Sequence, residues 1–306
     1  MKGGAAMEIW ASQLFNGLSY SSFLLLIALG LAITFGLMKV MNMAHGDMIM
    51  IGAYVTYSTQ LIFSSFMPQN MFDYYFLFSI PIAFVVTACI GWILEKSLIQ
   101  FLYNRPLDSM LATWGVSLIL QQIARTIFGA PNVAVKTPSW LDGGLQIAAV
   151  TLPYKRLFIL VLVGLCLTGL YVYLYRTAAG RRMTAVTLNR QMASCLGVNT
   201  RKVDAGAFAL GSGLGGVAGC ALTLLGPVGP TVGTNYIIDA FMIVILGGIG
   251  NLKGTLIGAV VIGLISTFVE FGSSATIAKV VVFALIILFL QWKPFGLIST
   301  RSRALD

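Results

Sequence analysis

Charge is scarce in this chain. Asp, Glu, Lys and Arg together make up 9% of 306 residues, against roughly 25% in a typical soluble domain, too little to cover a water-facing surface. Histidine occurs once, at His45. The four cysteines, Cys89, Cys166, Cys195 and Cys220, lack metal-ligand spacing, and three lie in apolar runs where a thiol behaves as a small hydrophobe, so neither zinc nor a disulfide framework is expected. Without clustered acids or a nucleophile setting there is little chemistry for an enzyme to run. A Gly-Lys-Ser/Thr phosphate loop is also missing: "GGIGNLKGT" at 247–255 has the wrong order, so the chain is not expected to hydrolyse ATP. Gly211, Gly213 and Gly216 have dinucleotide-fingerprint spacing but follow an apolar helical run instead of a strand. With Gly215, Gly219, Gly254 and Gly258, they suit close helix packing in lipid.

What the chain has in abundance is apolar sequence. Hydrophobic residues reach 58% and mean hydropathy is +0.90, which defines an all-α, polytopic integral membrane protein forming one domain over 1–306. Helices are predicted at 13–38, 46–66, 74–95, 107–128, 154–175, 204–226, 254–272 and 276–292. The short 237–250 segment reads as re-entrant or broken, for a total of eight or nine transmembrane or re-entrant helices. No removable signal peptide is expected, since the basic and apolar regions and the cleavage site do not follow in order. The formal charge of +9 is spread along helix boundaries, which indicates orientation in lipid and not nucleic-acid binding. Arg176, Arg181, Arg182, Arg190, Arg201 and Lys202 lie in one connection with no acid before Asp204, which assigns that connection to the cytoplasm. The 129–153 stretch is then an exposed loop or small hairpin on the other side, and the orientation of the first span depends on whether the chain reverses at His45.

Two features point to function. The first is the polar nick "NMAHGDM" at 42–48, between apolar runs. Ionisable groups and unwound backbone at membrane depth are tolerated mainly where protein or an aqueous path receives them. Path candidates, each polar in or beside an apolar run, are Asn42, His45, Asp47, Thr113, Gln121, Gln122, Asn235 and Asp239, with Trp114 as an apolar wall. Each has a structural alternative: His45 and Asp47 as caps of the helix that follows, Gln121 or Gln122 as interhelical glue, Asp239 as an N-cap. Adjacent Gln121 and Gln122 point in different directions, so only one is expected to face a lumen. The second feature is the 177–203 connection, with expected breaks at Gly180 and Gly197 around a short amphipathic helix.

Three separated blocks, "GLAITFGLMKVMNMAHGDMIMIGAY", "MTAVTLNRQMASCLGVNTRKVDAGAFALGSGLGGVAG" and "DAFMIVILGGIGNLKGTLIGA", resemble in order and spacing the LivH/LivM permeases of ATP-binding-cassette importers for branched-chain amino acids. Within that family, "RPLDSMLATWGVSLILQQIARTIFGAPNVAV", "PSWLDGG" and "NYIIDAFMIVILGGIG" look more like the urea-transport permease of UrtB type. The resemblance implies a permease of the bacterial cytoplasmic membrane without a cofactor, working by alternating access on urea, or alternatively on branched-chain amino acids or short amides. It implies as partners a second permease of LivM or UrtC type, two ATPase subunits and a periplasmic binding protein. Under it 177–203 is the coupling segment, with Gly180, Arg181, Arg182, Asn189, Arg190 and Gly197 as its key positions, and acids at the three arginines are expected to uncouple uptake from ATP hydrolysis. A passive urea channel would need no such segment.

Overall fold

The computed structural model describes residues 2–298 apart from 39, 104, 148, 149 and 295. Among them are helices α1 (Lys2–Met38), α2 (His45–Phe66), α3 (Tyr75–Ser97), α4 (Pro106–Phe128) and α5 (Tyr154–Arg176), with hairpin strands β1 (Gly144–Ile147) and β2 (Val150–Pro153) between the last two. Then come α6 (Ala178–Leu188), α7 (Arg190–Cys195), α8 (Thr200–Thr223), α9 (Val232–Gly247), α10 (Leu252–Gly272) and α11 (Ala275–Trp292). Side-chain caps start many of them: Asn189, Asn199 and Asn251 accept from the first-turn amides of α7, α8 and α10, as Ser274 does for α11. These caps satisfy amides that a helix otherwise leaves free.

Six of the described helices are long and apolar enough to cross a membrane: Ile9–Met38, Phe72–Phe101 and Tyr154–Arg176, then Thr200–Thr223, Leu252–Gly272 and Ala275–Trp292. The α1 and α8 windows are 94% and 83% buried and form the centre, while the α11 window, 17% buried, turns most of its apolar surface outward. α2 and α4, with 22 and 23 residues, have the length to span but are less apolar. The expected 237–250 segment instead forms α9, which starts at Val232, so Asp239 lies mid-helix and does not cap it. The phosphate-loop lookalike is the turn between α9 and α10, where Gly248 and Gly250 adopt positive φ and Asn251 caps α10.

Small residues bring the central backbones together. α8 packs against α1, α2 and α3. A Cβ added at Gly52 of α2 would stand 2.6 Å from Gly216 Cα, and one at Gly211 would stand 2.6 Å from Gly30 O of α1. The glycines of the apparent dinucleotide fingerprint are thus helix-packing positions. All four cysteines are free, and buried Cys220 accepts from Thr56 Oγ1 at 2.9 Å.

Directions follow from the contacts. α1 and α10 run antiparallel, Gly17 meeting Leu264 and Gly36 meeting Gly250, and Asn16 lies beside Arg156 at the start of α5. The N-terminal part of α1 therefore stands at the end of the bundle opposite α6 and α7. The chain does reverse at the nick. His45 Nε2 lies 3.2 Å from Ile27 O, about 16 Å back along α1 from Met38 at ~1.5 Å per residue. A second interruption, "LLGPVGPT" at 224–231, separates α8 from α9. Its glycines and prolines cannot continue a helix readily. The two interruptions converge: a Cβ on Gly46 would stand 2.5 Å from Gly233 O. α2 and α9 thus begin against each other inside the bundle.

Candidate substrate path and coupling surface

α4 presents Ser109, Thr113, Ser117 and Gln121, all buried and four residues apart, toward α2. Four-residue spacing puts all of them on one helical face. Thr113 Oγ1 accepts from Met43 N at 3.1 Å, holding the unwound stretch before α2. Gln121 Nε2 donates to Asp47 Oδ1 at 3.1 Å and to Ser117 Oγ at 3.1 Å. Further along, Tyr54 stacks on Phe128 with ring centroids 4.4 Å apart. The seam joins two helices running in the same direction.

At the start of α2, hydrogen-bonding capacity is left over. The Asn42 side-chain oxygen accepts from Ala44 N at 3.0 Å, while its Nδ2 has no partner. A carbonyl only accepts, so His45 Nε2 carries the hydrogen donated to Ile27 O, and Nδ1 is a bare acceptor without a partner. Asp47 Oδ2 is also unpartnered. Buried polar atoms in such number suit a polar ligand, because leaving them unpaired costs about 1–3 kcal/mol each. The expected capping role is not what these side chains do: Ala44 is the N-cap residue with no side-chain cap bond, and Asp47 reaches across to α4.

The remaining candidates lie elsewhere. Gln122, Asn235 and Trp114 are exposed, with Trp114 on the outer face of α4. Asp239 is buried, 3.7 Å from Lys279 Nζ of α11, which also donates to Asn235 O at 3.2 Å. It braces α9 on α11, away from the seam. Sequence reasoning missed Ser109 and Ser117, although their spacing with Thr113 and Gln121 was legible.

The 177–203 segment folds as two short helices. Gly180 does not break the first: buried within α6, it leaves room for the carbonyl of Tyr173 and for Leu174 of α5. The break falls at Asn189, whose side chain caps α7, and Gly197, at φ +80°, turns the chain into α8. Met183 and Val186 are buried, whereas Arg181 and Arg182 and the apolar Leu188, Met192 and Leu196 are exposed. Arg190, unlike Arg181 and Arg182, is held within the fold. Its guanidinium pairs with fully buried Asp204 at 2.5 and 3.2 Å and lies 5.1 Å from the Tyr103 ring, and Tyr103 in turn donates to Glu95 at 2.8 Å. Burial, then the nearby Asp204 charge, raises the Tyr103 pKa, which keeps the hydroxyl protonated as that donor. The cluster ties α7 to α8 and to the end of α3.

Apolar spanning helices around a polar, interrupted centre define a multi-pass protein of the inner membrane that belongs to the transport class. The chain belongs to the family described as branched-chain amino acid transport system / permease component, whose model matches residues 13–290. It is similar to the high-affinity branched-chain amino acid transport system permease protein LivH of Escherichia coli, at 29% identity over 294 residues and 94% of both chains. LivH of Salmonella typhimurium is 28% identical with the same coverage, and BraD of Pseudomonas aeruginosa is 28% identical over 95% of this chain and 96% of its own. Their names specify branched-chain amino acids and not urea. As a permease component the chain is a transport subunit and not itself an enzyme.

Proposed function

We propose that this chain is one permease subunit of an ATP-binding-cassette importer for branched-chain amino acids, with the α2–α4 seam bordering the substrate path. The observation that carries this reading is the group of unpartnered buried polar atoms at Asn42, His45 and Asp47, where two interrupted helices meet. Transporters place substrate sites at such interruptions, because unwound backbone and helix starts supply polar groups inside the membrane. The seam offers a carboxylate and a ring acceptor for an ammonium group, and the Asn42 amide donors for a carboxylate. The names of the relatives move the substrate from urea to the amino-acid alternative.

The basic α6–α7 end faces the cytoplasm in this reading, which puts the N-terminal end of α1 outside. Leu188, Met192 and Leu196, flanked by Arg181 and Arg182, meet one of two ATPase subunits. A second permease completes the path, and a periplasmic binding protein delivers substrate. With α2, α4 and α9 counted as crossing or re-entering, nine of the described helices form the bundle. ATP-driven closure of the ATPases moves α6 and α7, and the permeases rock between states open to either side.

Uptake of labelled leucine and labelled urea by cells carrying all subunits, with an ATPase-dead control, tests the assignment. Leucine uptake that needs the ATPase and ignores excess urea is expected; ATPase-dependent urea uptake unaffected by leucine would restore the urea reading. Asp47→Asn retains the acceptor for Gln121 but removes the charge, and is expected to lower leucine uptake at least tenfold at unchanged membrane abundance. Uptake within twofold of wild type would remove Asp47 from the path.

A further inference from the structure

A polar cavity of about 330 Å³ lies at the opposite end of the bundle from α6 and α7, where α5 starts and α8 and α10 finish. Gln13, Asn16, Arg156, Glu270, Leu225 and Phe271 are among its lining residues. None of them belongs to the seam. Arg156 Nη1 donates to the Asn16 side-chain oxygen, which fixes the guanidinium while leaving most of its donors unused. The Glu270 carboxylate makes no hydrogen bond or ion pair among the described residues, and it is not within pairing distance of Arg156 although both line the same cavity. An arginine and a glutamate that share a cavity without neutralising each other leave room for a ligand bearing both complementary charges. Leu225, 42% exposed, and Phe271, 61% exposed, add apolar surface beside them.

We infer that this cavity is an arrival site for a free apolar α-amino acid, with its carboxylate on Arg156, its ammonium on Glu270 and its side chain against Leu225 and Phe271. A planar guanidinium binds a carboxylate through two parallel hydrogen bonds, which selects orientation as well as charge. Leu225 lies in the 224–231 interruption, which is followed by Gly233 against the start of α2. The inference rests on the importer reading for the outward placement of this end, but its test does not depend on transport.

The assembled transporter in nanodiscs free of phosphatidylethanolamine, carrying Thr267→Cys in the cavity lining, is treated with a thiol reagent, and modification at that position is read by mass spectrometry. Leucine is expected to slow modification at least fivefold, whereas 4-methylpentanoate, lacking the ammonium, and isoamylamine, lacking the carboxylate, leave it within twofold. Arg156→Gln and Glu270→Gln should each abolish protection while leaving the reagent rate without leucine unchanged, a pattern that misfolding would not produce. Equal rates with and without leucine, or protection that survives both substitutions, would overturn the site. Slower modification without leucine in matched nanodiscs that contain phosphatidylethanolamine would also overturn it, in favour of a lipid headgroup. ATPase-dependent leucine uptake by the same preparation in proteoliposomes reports on the importer reading separately. Normal uptake without protection refutes the cavity alone, and protection without uptake refutes the importer alone.

Discussion

Replacing Gly52 by valine is expected to abolish recovery of folded protein. A Cβ there would stand 2.6 Å from Gly216 Cα, and the obstruction is backbone, so no rotamer change relieves it. α2 would have to move away from α8, taking with it the Gly46 contact to Gly233 and the bond between Asp47 and Gln121. Overpacking a well-filled core commonly costs about 1–3 kcal/mol, and a crossing built from glycine backbones has less freedom to adjust than a side-chain core. The check is the monodisperse yield in detergent together with the thermal midpoint. Gly52→Ala should fold with a lowered midpoint. Gly164→Ala on α5 is the matched control: nothing lies within 4 Å of its added Cβ, and the midpoint should hold or rise with the gain in helix propensity. Normal yield and midpoint in Gly52→Val would refute the close crossing.

Arg190→Glu is expected to uncouple the transporter. Asp204 is completely buried and draws its compensation from Arg190, so reversal leaves one carboxylate facing another. Removing one partner of a buried pair costs roughly 3–5 kcal/mol, and the 41% exposure of the Arg190 side chain puts the expectation toward the lower end through solvent screening. That is enough to release α7 from α8 without undoing the apolar spans, so membrane abundance should persist while leucine taken up per ATP hydrolysed falls at least tenfold. Replacing both partners, Arg190→Met with Asp204→Leu, removes the uncompensated charge and should recover most of the stability lost in Arg190→Met alone. If Arg190→Glu transports with unchanged stoichiometry, the Arg190–Asp204 link does not carry the coupling motion. The expectation for the three arginines therefore divides: Arg181 and Arg182 point outward and are available to a partner, whereas Arg190 anchors the segment that presents them.

The seam was partly legible. Asn42, His45, Asp47, Thr113 and Gln121 stand out in sequence because polar groups inside apolar runs are costly, and all five are buried along the α2–α4 contact or at its start. Gln122, Asn235 and Asp239 met the same criterion but are placed on outer surfaces or against Lys279, and Trp114, expected as an apolar wall, is exposed. Polarity within an apolar run shows that a residue needs a partner without saying which element provides it. Arg190 shows the same limit, since its acid lies fourteen residues away on the next helix.

The sequence by itself determined the membrane class, the approximate positions of most of the long apolar helices and the basic connection, because these depend on local composition and on a periodicity that each segment carries alone. Only the tertiary structure decided that the interruptions at 40–44 and 224–231 meet at Gly46 and Gly233, that Asp47 reaches Gln121 and that Arg156 shares a cavity with Glu270. Each of these pairs residues far apart in the chain, and their proximity is set by how closely glycine-lined helices approach, a property of two surfaces together and of neither segment alone.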